Sequence, residues 1–268
     1  MASVGKYQDI DWYDTPLYYD IVYDVDTEAE AQFLSDVAER FCQSRGKDVL
    51  EPACGTGRLL AALAKKGFRV SGFDRSEAML EFARLKMVQE KVKEAGLELG
   101  DMESFEMPGR FDLVFCLLST FKYLTTEDEA RRCLQRVYQH LKPGGGFVLG
   151  VHLVDYASKR PEHERWVGKR DGIRVVSNTR TWPPDNATRL EKIRNRLEVE
   201  NDGGVHRQES VWNCRTYDAE ELSELISTVE GWKVVACYDF FHDIEAPREF
   251  DDSQNDLVVV LRKAKGRK

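Results

Sequence analysis

The chain has 268 residues, with 39 Lys+Arg against 47 Asp+Glu and a formal charge of −8, a length that predicts one large domain or one domain carrying an insertion. Its 42% hydrophobic and 32% charged content is that of a globular rather than a disordered chain, and the acidic balance argues against a protein that grips nucleic acid through its overall field. No apolar run approaches the roughly 18 residues of a membrane span, and residues 1–10 lack the order of a signal peptide; six cysteines without a CxxC pair and five histidines offer no zinc spacing, so reduced thiols in a metal-free cytoplasmic protein are expected.

Residues 1–24 hold five of the ten tyrosines, interleaved with Asp9, Asp11, Asp14, Asp20 and Asp24. A helix is predicted over 27–45, with Thr27 as N-cap and Glu30 as its capping-box partner. From Lys47 the pattern alternates: a strand over 47–51, the turn Ala53-Cys54-Gly55-Thr56-Gly57, a helix over 58–66, then a strand over 68–73 closed by Asp74. Ser76 caps a helix running to about residue 95, and the short strand 97–99 leads into Gly100-Asp101-Met102. The stretch 111–118 reads as a fully apolar strand buried on both faces. A helix over 126–141 is stopped by Pro143 and three glycines, before a strand over 147–153. This alternation predicts an α/β fold, a doubly wound, mostly parallel, Rossmann-like sheet of seven strands.

The alternation breaks between 154 and 217. Three stretches of period two (174–182, 189–200 and 205–217) are joined by Pro183-Pro184-Asp185-Asn186 and Asn201-Asp202-Gly203-Gly204. They predict a three-stranded antiparallel β insertion after strand five. A helix over 219–229 capped by Asp218, strands over 232–240 and 257–262, and a basic tail over 263–268 complete the chain.

Glu51-Pro52-Ala53-Cys54-Gly55-Thr56-Gly57 follows a strand and opens a helix, the place where nucleotide-like cofactors bind in doubly wound sheets. Glycines let the backbone approach a ligand, and a helix N-terminus offers unpaired N–H groups. Asp74 lies 19 residues beyond Gly55, where a carboxylate can accept from both hydroxyls of a ribose. Asp101 closes the third strand, and Leu141-Lys142-Pro143-Gly144-Gly145-Gly146 precedes the fifth. In order and spacing this set resembles the class I S-adenosylmethionine-dependent methyltransferases over residues 47–154. An NAD-dependent oxidoreductase fits less well, because Leu60 stands where GxGxxG wants Gly or Ala and Glu51 favours an ammonium over a pyrophosphate.

The resemblance implies S-adenosyl-L-methionine as cofactor and S-adenosyl-L-homocysteine as product. It places Glu51, Ala53, Cys54, Gly55, Thr56, Gly57, Asp74, Arg75, Met79, Asp101 and Met102 against the cofactor, with Leu117 and Ser119 beside its methionine part. Tyr13-Asp14, Tyr19-Asp20 and Tyr23-Asp24 resemble the N-terminal segments that fold over the cofactor as a lid in small-molecule members, which makes Tyr18, Tyr19 and Tyr23 cofactor contacts. The insertion is similar to the substrate roof of glycine N-methyltransferase and the sugar N,N-dimethyltransferases. Residues 1–46 are then lid and helix, 47–153 the cofactor-binding core, 154–217 the roof, and 218–268 the end of the core sheet.

Methyl transfer from a sulfonium is an in-line displacement that the enzyme positions and shields. An amine acceptor must only be neutral, whereas a hydroxyl usually needs a base. The catalytic candidates are Tyr19, Tyr123 after strand four and His152 at the end of strand five, with His242 as a further candidate base. No nucleophile–base–orienter set is visible, so N-methylation of a small amine is expected; O-methylation through a His base and cofactor binding without turnover are the alternatives. An anionic substrate group falls to Arg194, Arg174 or Arg180. The segment after strand four reads Leu118-Ser119-Thr120-Phe121, not the Asn/Asp-Pro-Pro-aromatic loop of DNA amino-methyltransferases, and lacks the paired glutamates of protein arginine methyltransferases. A small-molecule substrate and a homodimer are the expected partners; nucleic acid and membrane are not.

Overall fold

A computed structural model describes residues 6–265; residues 1–5, and 266–268 of the basic tail, lie outside the described residues. The chain opens with a two-residue strand β1 (Gln8–Asp9), a 3₁₀ turn (Trp12–Asp14), α1 (Pro16–Tyr23) and α2 (Thr27–Phe41). Then come β2 (Asp48–Pro52), α3 (Arg58–Lys65), β3 (Arg69–Asp74), α4 (Glu77–Gln89), β4 (Ala95–Leu99), β5 (Phe111–Cys116), α5 (Glu127–His140) and β6 (Leu141–His152). Four strands follow, β7 (Glu162–Arg170), β8 (Ile173–Thr181), β9 (Leu190–Asn201) and β10 (Gly204–Arg215), before α6 (Ala219–Ser227), β11 (Trp232–Tyr238) and β12 (Asp256–Lys263).

Seven strands make one sheet in the order β11-β12-β6-β5-β2-β3-β4. β12 runs antiparallel between β11 and β6, and the strands from β6 to β4 are parallel. The seven-stranded Rossmann-like sheet and the antiparallel insertion after its fifth strand are therefore as the sequence predicts. The strand order changes direction between β2 and β5, which puts the β2–α3 turn and the segment after β5 side by side at the carboxyl ends of the strands, where open α/β sheets hold ligands. One apolar cluster (Leu50, Phe73, Val114, Leu134, Phe147, Leu222) fills one face and a second (Phe33, Leu34, Leu60, Leu63, Phe115, Val148) the other.

The second sheet has the order β1-β10-β9-β8-β7. It contains four antiparallel strands where the sequence predicts three. β7 escapes notice because it is a charged edge strand, exposed over most of its length, with no buried face to impose alternation; the signal that marks it is the two-residue turn Asp171-Gly172, at φ 49° and 77°, a favoured hairpin connection. The N-terminal segment is woven into this sheet rather than laid over it. β1 pairs with β10 in parallel, Trp12 is buried, and the Tyr7 hydroxyl donates to Glu198 at 3.1 Å. The fully buried Asp20 carboxylate binds Lys86 of α4 at 2.7 Å and Arg170 of β7 at 2.7 Å, clasping α1 to both sheets.

Two helix starts are capped as expected, Ser76 accepting from the Met79 N–H and Asp218 forming a complete capping box, and Thr126 forms a further box just before α5. α2 differs. Thr27 lies inside the helix and donates to Asp24 at 3.2 Å, because Glu30 is drawn away to Arg58. α4 stops at Gln89 rather than near residue 95, since Lys91 turns left-handed (φ 57°) and 95–99 are claimed by β4. Nor is β5 fully apolar: Asp112 is buried in it, accepting from the Gly46 and Asp48 N–H groups at 3.0 Å each and from Lys142 at 2.7 Å.

Burial penalises the Asp112 carboxylate, but the Lys142 ammonium and the Asp48 N–H hold it below the usual carboxylate range. Asp48, bonded to Arg69 and Lys142, is held down to about 2. For both, the folded value lies below the unfolded one near about 3.9, so their contribution is present above that pH and lost as pH falls toward the folded value. Asp112→Ala strands two backbone donors and opens a hole, and is expected to cost about 3–5 kcal/mol in urea unfolding, with Asp112→Asn costing less. A loss below about 0.5 kcal/mol for Asp112→Ala would contradict this account of how β2, β5 and β6 are tied.

Candidate active site

The β2–α3 turn brings three left-handed residues together at alternate positions: Ala53 (φ 53°), Gly55 (φ 51°) and Gly57 (φ 69°). A β-carbon on Gly57 would lie 2.9 Å from Met87 Cε and 3.1 Å from Ala83 Cβ, so this glycine is fixed by helix packing. A β-carbon on Gly55 would meet nothing within 4 Å; only its φ and the open space beside it matter. The turn is pinned by Asp74, which accepts from the Gly55 N–H at 2.8 Å with one oxygen and from the Ser76 N–H at 2.9 Å with the other. Burial raises the Asp74 carboxyl, opposed by these backbone bonds.

Glu51 is the unusual group. It is buried, its Oε2 has no partner, and burial pushes its pKa well above the ordinary carboxylate value. Arg58 opposes that shift but is itself buried against Glu30 and donates to Thr27 at 2.9 Å. Thr56 Oγ1 is likewise buried and unpartnered. Glu51, Thr56, Cys54, Gly55, Leu117 and Tyr19 line one small cavity at the turn. Two orphaned oxygens beside an open glycine backbone fit a ligand that brings an ammonium and further hydrogen-bond donors. The described residues contain no group of three or more His, Cys, Asp or Glu side chains placed to hold a metal.

Tyr19, Arg58, Leu118 and Thr120 form a wall shared with a cleft of about 1380 Å³ between the two sheets. Its sides are aromatic. Trp12 stacks on Trp212 at 5.6 Å and packs edge-on against Tyr19 at 5.0 Å, while Tyr19 lies 4.6 Å from Tyr23. The Tyr13 hydroxyl donates to the Tyr123 hydroxyl at 2.5 Å. Burial raises the pKa values of Tyr13, Tyr19, Tyr23 and Tyr123, so all four are neutral phenols at pH 7. After β5, Leu118 (φ 54°) and Ser119 (φ 58°) are consecutive left-handed residues, a strained pair of the kind that collects at functional sites. Ser119 Oγ accepts from the His152 N–H at 2.8 Å, tying the two strand ends.

At the cleft, His152 Nδ1 lies 2.6 Å from Asp256 Oδ1, and this bond lowers the Asp256 carboxyl. The sequence shows no base with an orienting partner; the structure supplies one, because antiparallel pairing sets residues 152 and 256 opposite each other. His242 (φ 55°) also lines the cleft; its Nε2 is unpartnered and burial lowers its pKa, leaving a neutral ring at pH 7. Lys122 and Glu191 form a buried pair at 2.7 Å across the two sheets.

Of the other sequence-derived positions, Tyr18 packs on the small aromatic cluster and lines neither cavity. Met79 is fully buried behind the turn. Arg75 and Asp101 are exposed, and Met102 packs on the core. Asp101 nonetheless follows β4 on the edge where Asp74 ends β3, since the Gly100 N–H donates to the Asp74 carbonyl at 3.0 Å. Arg174, Arg180 and Arg194 line neither cavity: Arg174 binds Glu200, and Arg180 and Arg194 lie over Trp182 at 4.9 and 5.4 Å. The expected anion-binding role is therefore without geometric support. Trp12, Trp212 and Asp256 are not singled out by the sequence, where only the density of aromatics near the N-terminus points to Trp12; Tyr13 enters it only as part of the Tyr13-Asp14 pair.

A family model described as "Methyltransferase domain" matches residues 49–145. The dTDP-3-amino-3,4,6-trideoxy-alpha-D-glucopyranose N,N-dimethyltransferase of Streptomyces venezuelae is 31% identical over 65% of this chain and 72% of its own length. The dTDP-4-amino-2,3,4,6-tetradeoxy-D-glucose N,N-dimethyltransferase of Saccharopolyspora spinosa is 34% identical over 38% of this chain and 39% of its own. The chain thus spans about half, or less, of the length of several curated relatives it matches, 55%, 39% and 42% for three of them. Among solved structures, an S-adenosylmethionine-dependent methyltransferase from Clostridium acetobutylicum ATCC 824 superposes with a TM-score of 0.75 at 20% identity, over 94% of this chain and 99% of that one. DesVI of Streptomyces venezuelae gives 0.72 at 23% identity, over 96% and 100%. At these identities the structures share the fold.

The turn's two glycines should separate in urea unfolding. Gly57→Ala adds a packing clash to its φ penalty and is expected to cost about 2–4 kcal/mol. Gly55→Ala has only the φ penalty, about 1–2 kcal/mol, as the native Ala53 already tolerates. Equal losses would contradict the assignment of one glycine to packing and the other to open space.

Proposed function

Since the chain belongs to the class I S-adenosylmethionine-dependent methyltransferases, we propose that it transfers a methyl group from S-adenosylmethionine to the nitrogen of a small-molecule amine. The observation that carries this reading is the orphaned, buried Glu51 carboxylate at the glycine turn, beside an aromatic cleft large enough for a second substrate. Two relatives are named N,N-dimethyltransferases, which supports nitrogen as the acceptor. A small-molecule partner, a cytoplasmic location, and no binding of nucleic acid are part of the same reading. The described residues contain no helix long and apolar enough to cross a membrane.

When bound, S-adenosylmethionine supplies a methyl group whose bonding pair to sulfur stays with the sulfur as the acceptor's lone pair takes the carbon. The chain's own residues do the rest. Glu51 and Thr56 hold the amino-acid end, Gly55 leaves room along the turn, and Asp74 and Asp101 stand at the strand ends for the ribose and adenine. The neutral phenols of Tyr19 and Tyr23, with Trp12, close the N-terminal side and exclude water. Tyr123 and His152 bound the acceptor side. A second reading, O-methylation, is favoured by the His152–Asp256 pair, since an imidazole oriented by a carboxylate is the arrangement a hydroxyl acceptor needs.

Calorimetry should give a dissociation constant for S-adenosylmethionine on the order of 1–10 μM, about −7 to −8 kcal/mol. Glu51→Ala should weaken it at least tenfold with the fold intact by circular dichroism. The affinity should also fall as pH is lowered, because protonation of the raised Glu51 carboxyl removes the charge that attracts an ammonium. Unchanged affinity in Glu51→Ala would contradict the assignment. On the acceptor side, His152→Ala is expected to retain turnover within about tenfold for an amine; abolished turnover with normal cofactor affinity would transfer the reaction to oxygen.

A further inference from the structure

The unpaired charge along the cleft is mostly negative. Within the cleft, every core cation is already engaged: Arg58 with Glu30, Lys122 with Glu191 and Arg248 with Asp239. Five lining carboxylates, Asp26, Asp155, Glu162, Glu164 and Glu249, have no cation within 4 Å among the described residues, against the single unpaired Arg160. The insertion's surplus of Lys and Arg, 13 against 10 Asp and Glu over residues 154–216, does not offset them. Arg180, Lys192 and Arg194 gather over the Trp182 ring at 4.9, 5.9 and 5.4 Å and line no part of the cleft.

The uncharged walls are largely aromatic. Trp12, Tyr19, Tyr23 and Trp212 present stacked and edge-on rings, surfaces that attract desolvated cations. The His242 Nε2, unpartnered and neutral, offers a further acceptor. A cleft whose unpaired charges are mostly of one sign, here five carboxylates against one arginine, raises the local concentration of the opposite ion and repels its own.

We propose that the methyl acceptor carries a second positive charge, a diamine or polyamine, rather than an amine borne on an anionic nucleotide; this rests on the N-methylation reading. One nitrogen, neutral at the moment of transfer, faces the turn beyond Tyr19, and the other stays charged against the carboxylates at the cleft's mouth. The nucleotide handle named for the two sugar-methylating relatives has no counterpart in the charge of this cleft.

Binding is measured first, on the complex with S-adenosylhomocysteine, by tryptophan fluorescence. 1,4-Bis(trimethylammonio)butane is expected to bind at least tenfold more tightly than tetramethylammonium, and thymidine diphosphate to bind more weakly than either. The tenfold preference should shrink at about 0.5 M salt and in Glu162→Gln/Glu164→Gln. Tighter binding of thymidine diphosphate, or no preference for the dication, overturns the proposal. Transfer of labelled methyl to butane-1,4-diamine, n-butylamine and 4-aminobutanoate then separates this from the parent reading. The diamine should lead in kcat/KM at least tenfold. If n-butylamine or 4-aminobutanoate leads, the charge assignment fails while N-methylation stands; if hydroxyl compounds are methylated and no amine is, both fail.

Discussion

A carboxylate removed from water without a partner is among the least favourable things a protein interior can hold, costing several kcal/mol unless it is neutralised or paired. Glu51 is such a group, and much of the core is arranged around it. It lies one residue before the end of β2, a strand buried along most of its length, and the chain turns left-handed at Ala53 two residues on, leaving its second oxygen without a partner. Arg58, the nearest cation, is committed to Glu30 and Thr27. The consequence is a site whose own charge is unfinished. On the proposed function an ammonium would complete it, where a pyrophosphate would be repelled.

The second sheet adds a large cleft beside this turn. It hangs over the strand ends and is secured by ties that no short segment could form alone. Asp20 joins α1 to α4 and β7, Lys122 of the segment after β5 meets Glu191 of β9, and β1 extends the roof by one strand. Each tie is a buried charge pair or a backbone ladder, and breaking one member of a buried pair strands the other. These ties span the cleft between the sheets, and Tyr19 belongs to the wall that it shares with the small cavity at the glycine turn. The cleft's walls are largely aromatic, and both the His152–Asp256 pair and the neutral His242 ring line it.

What was legible in the sequence was local. The glycine turn, Asp74 nineteen residues on, the caps at Ser76 and Asp218 and the all-buried β5 each depend on a few consecutive residues, and their physical signals sit within one turn or strand. What was illegible depended on pairing across the chain. β7 is a strand because it lies beside β8, not because its residues alternate. Asp256 meets His152 across 104 residues by antiparallel register, and Trp212 joins the N-terminal aromatics only because β10 carries it over the cleft. Thr27 loses its capping role to a contact 28 residues away, the Arg58–Glu30 pair. The basic character of the insertion was plain from composition, but the face it occupies was not: a one-residue change of register reverses every side chain of a strand.

The most direct test of the central claim is a crystal structure with S-adenosylhomocysteine bound. The account requires the ligand's amino group within about 3.2 Å of Glu51 Oε2, the ribose at Asp74, and the sulfur facing the cleft past Tyr19. A ligand whose amino group bonds elsewhere while Glu51 Oε2 stays unpartnered would contradict it.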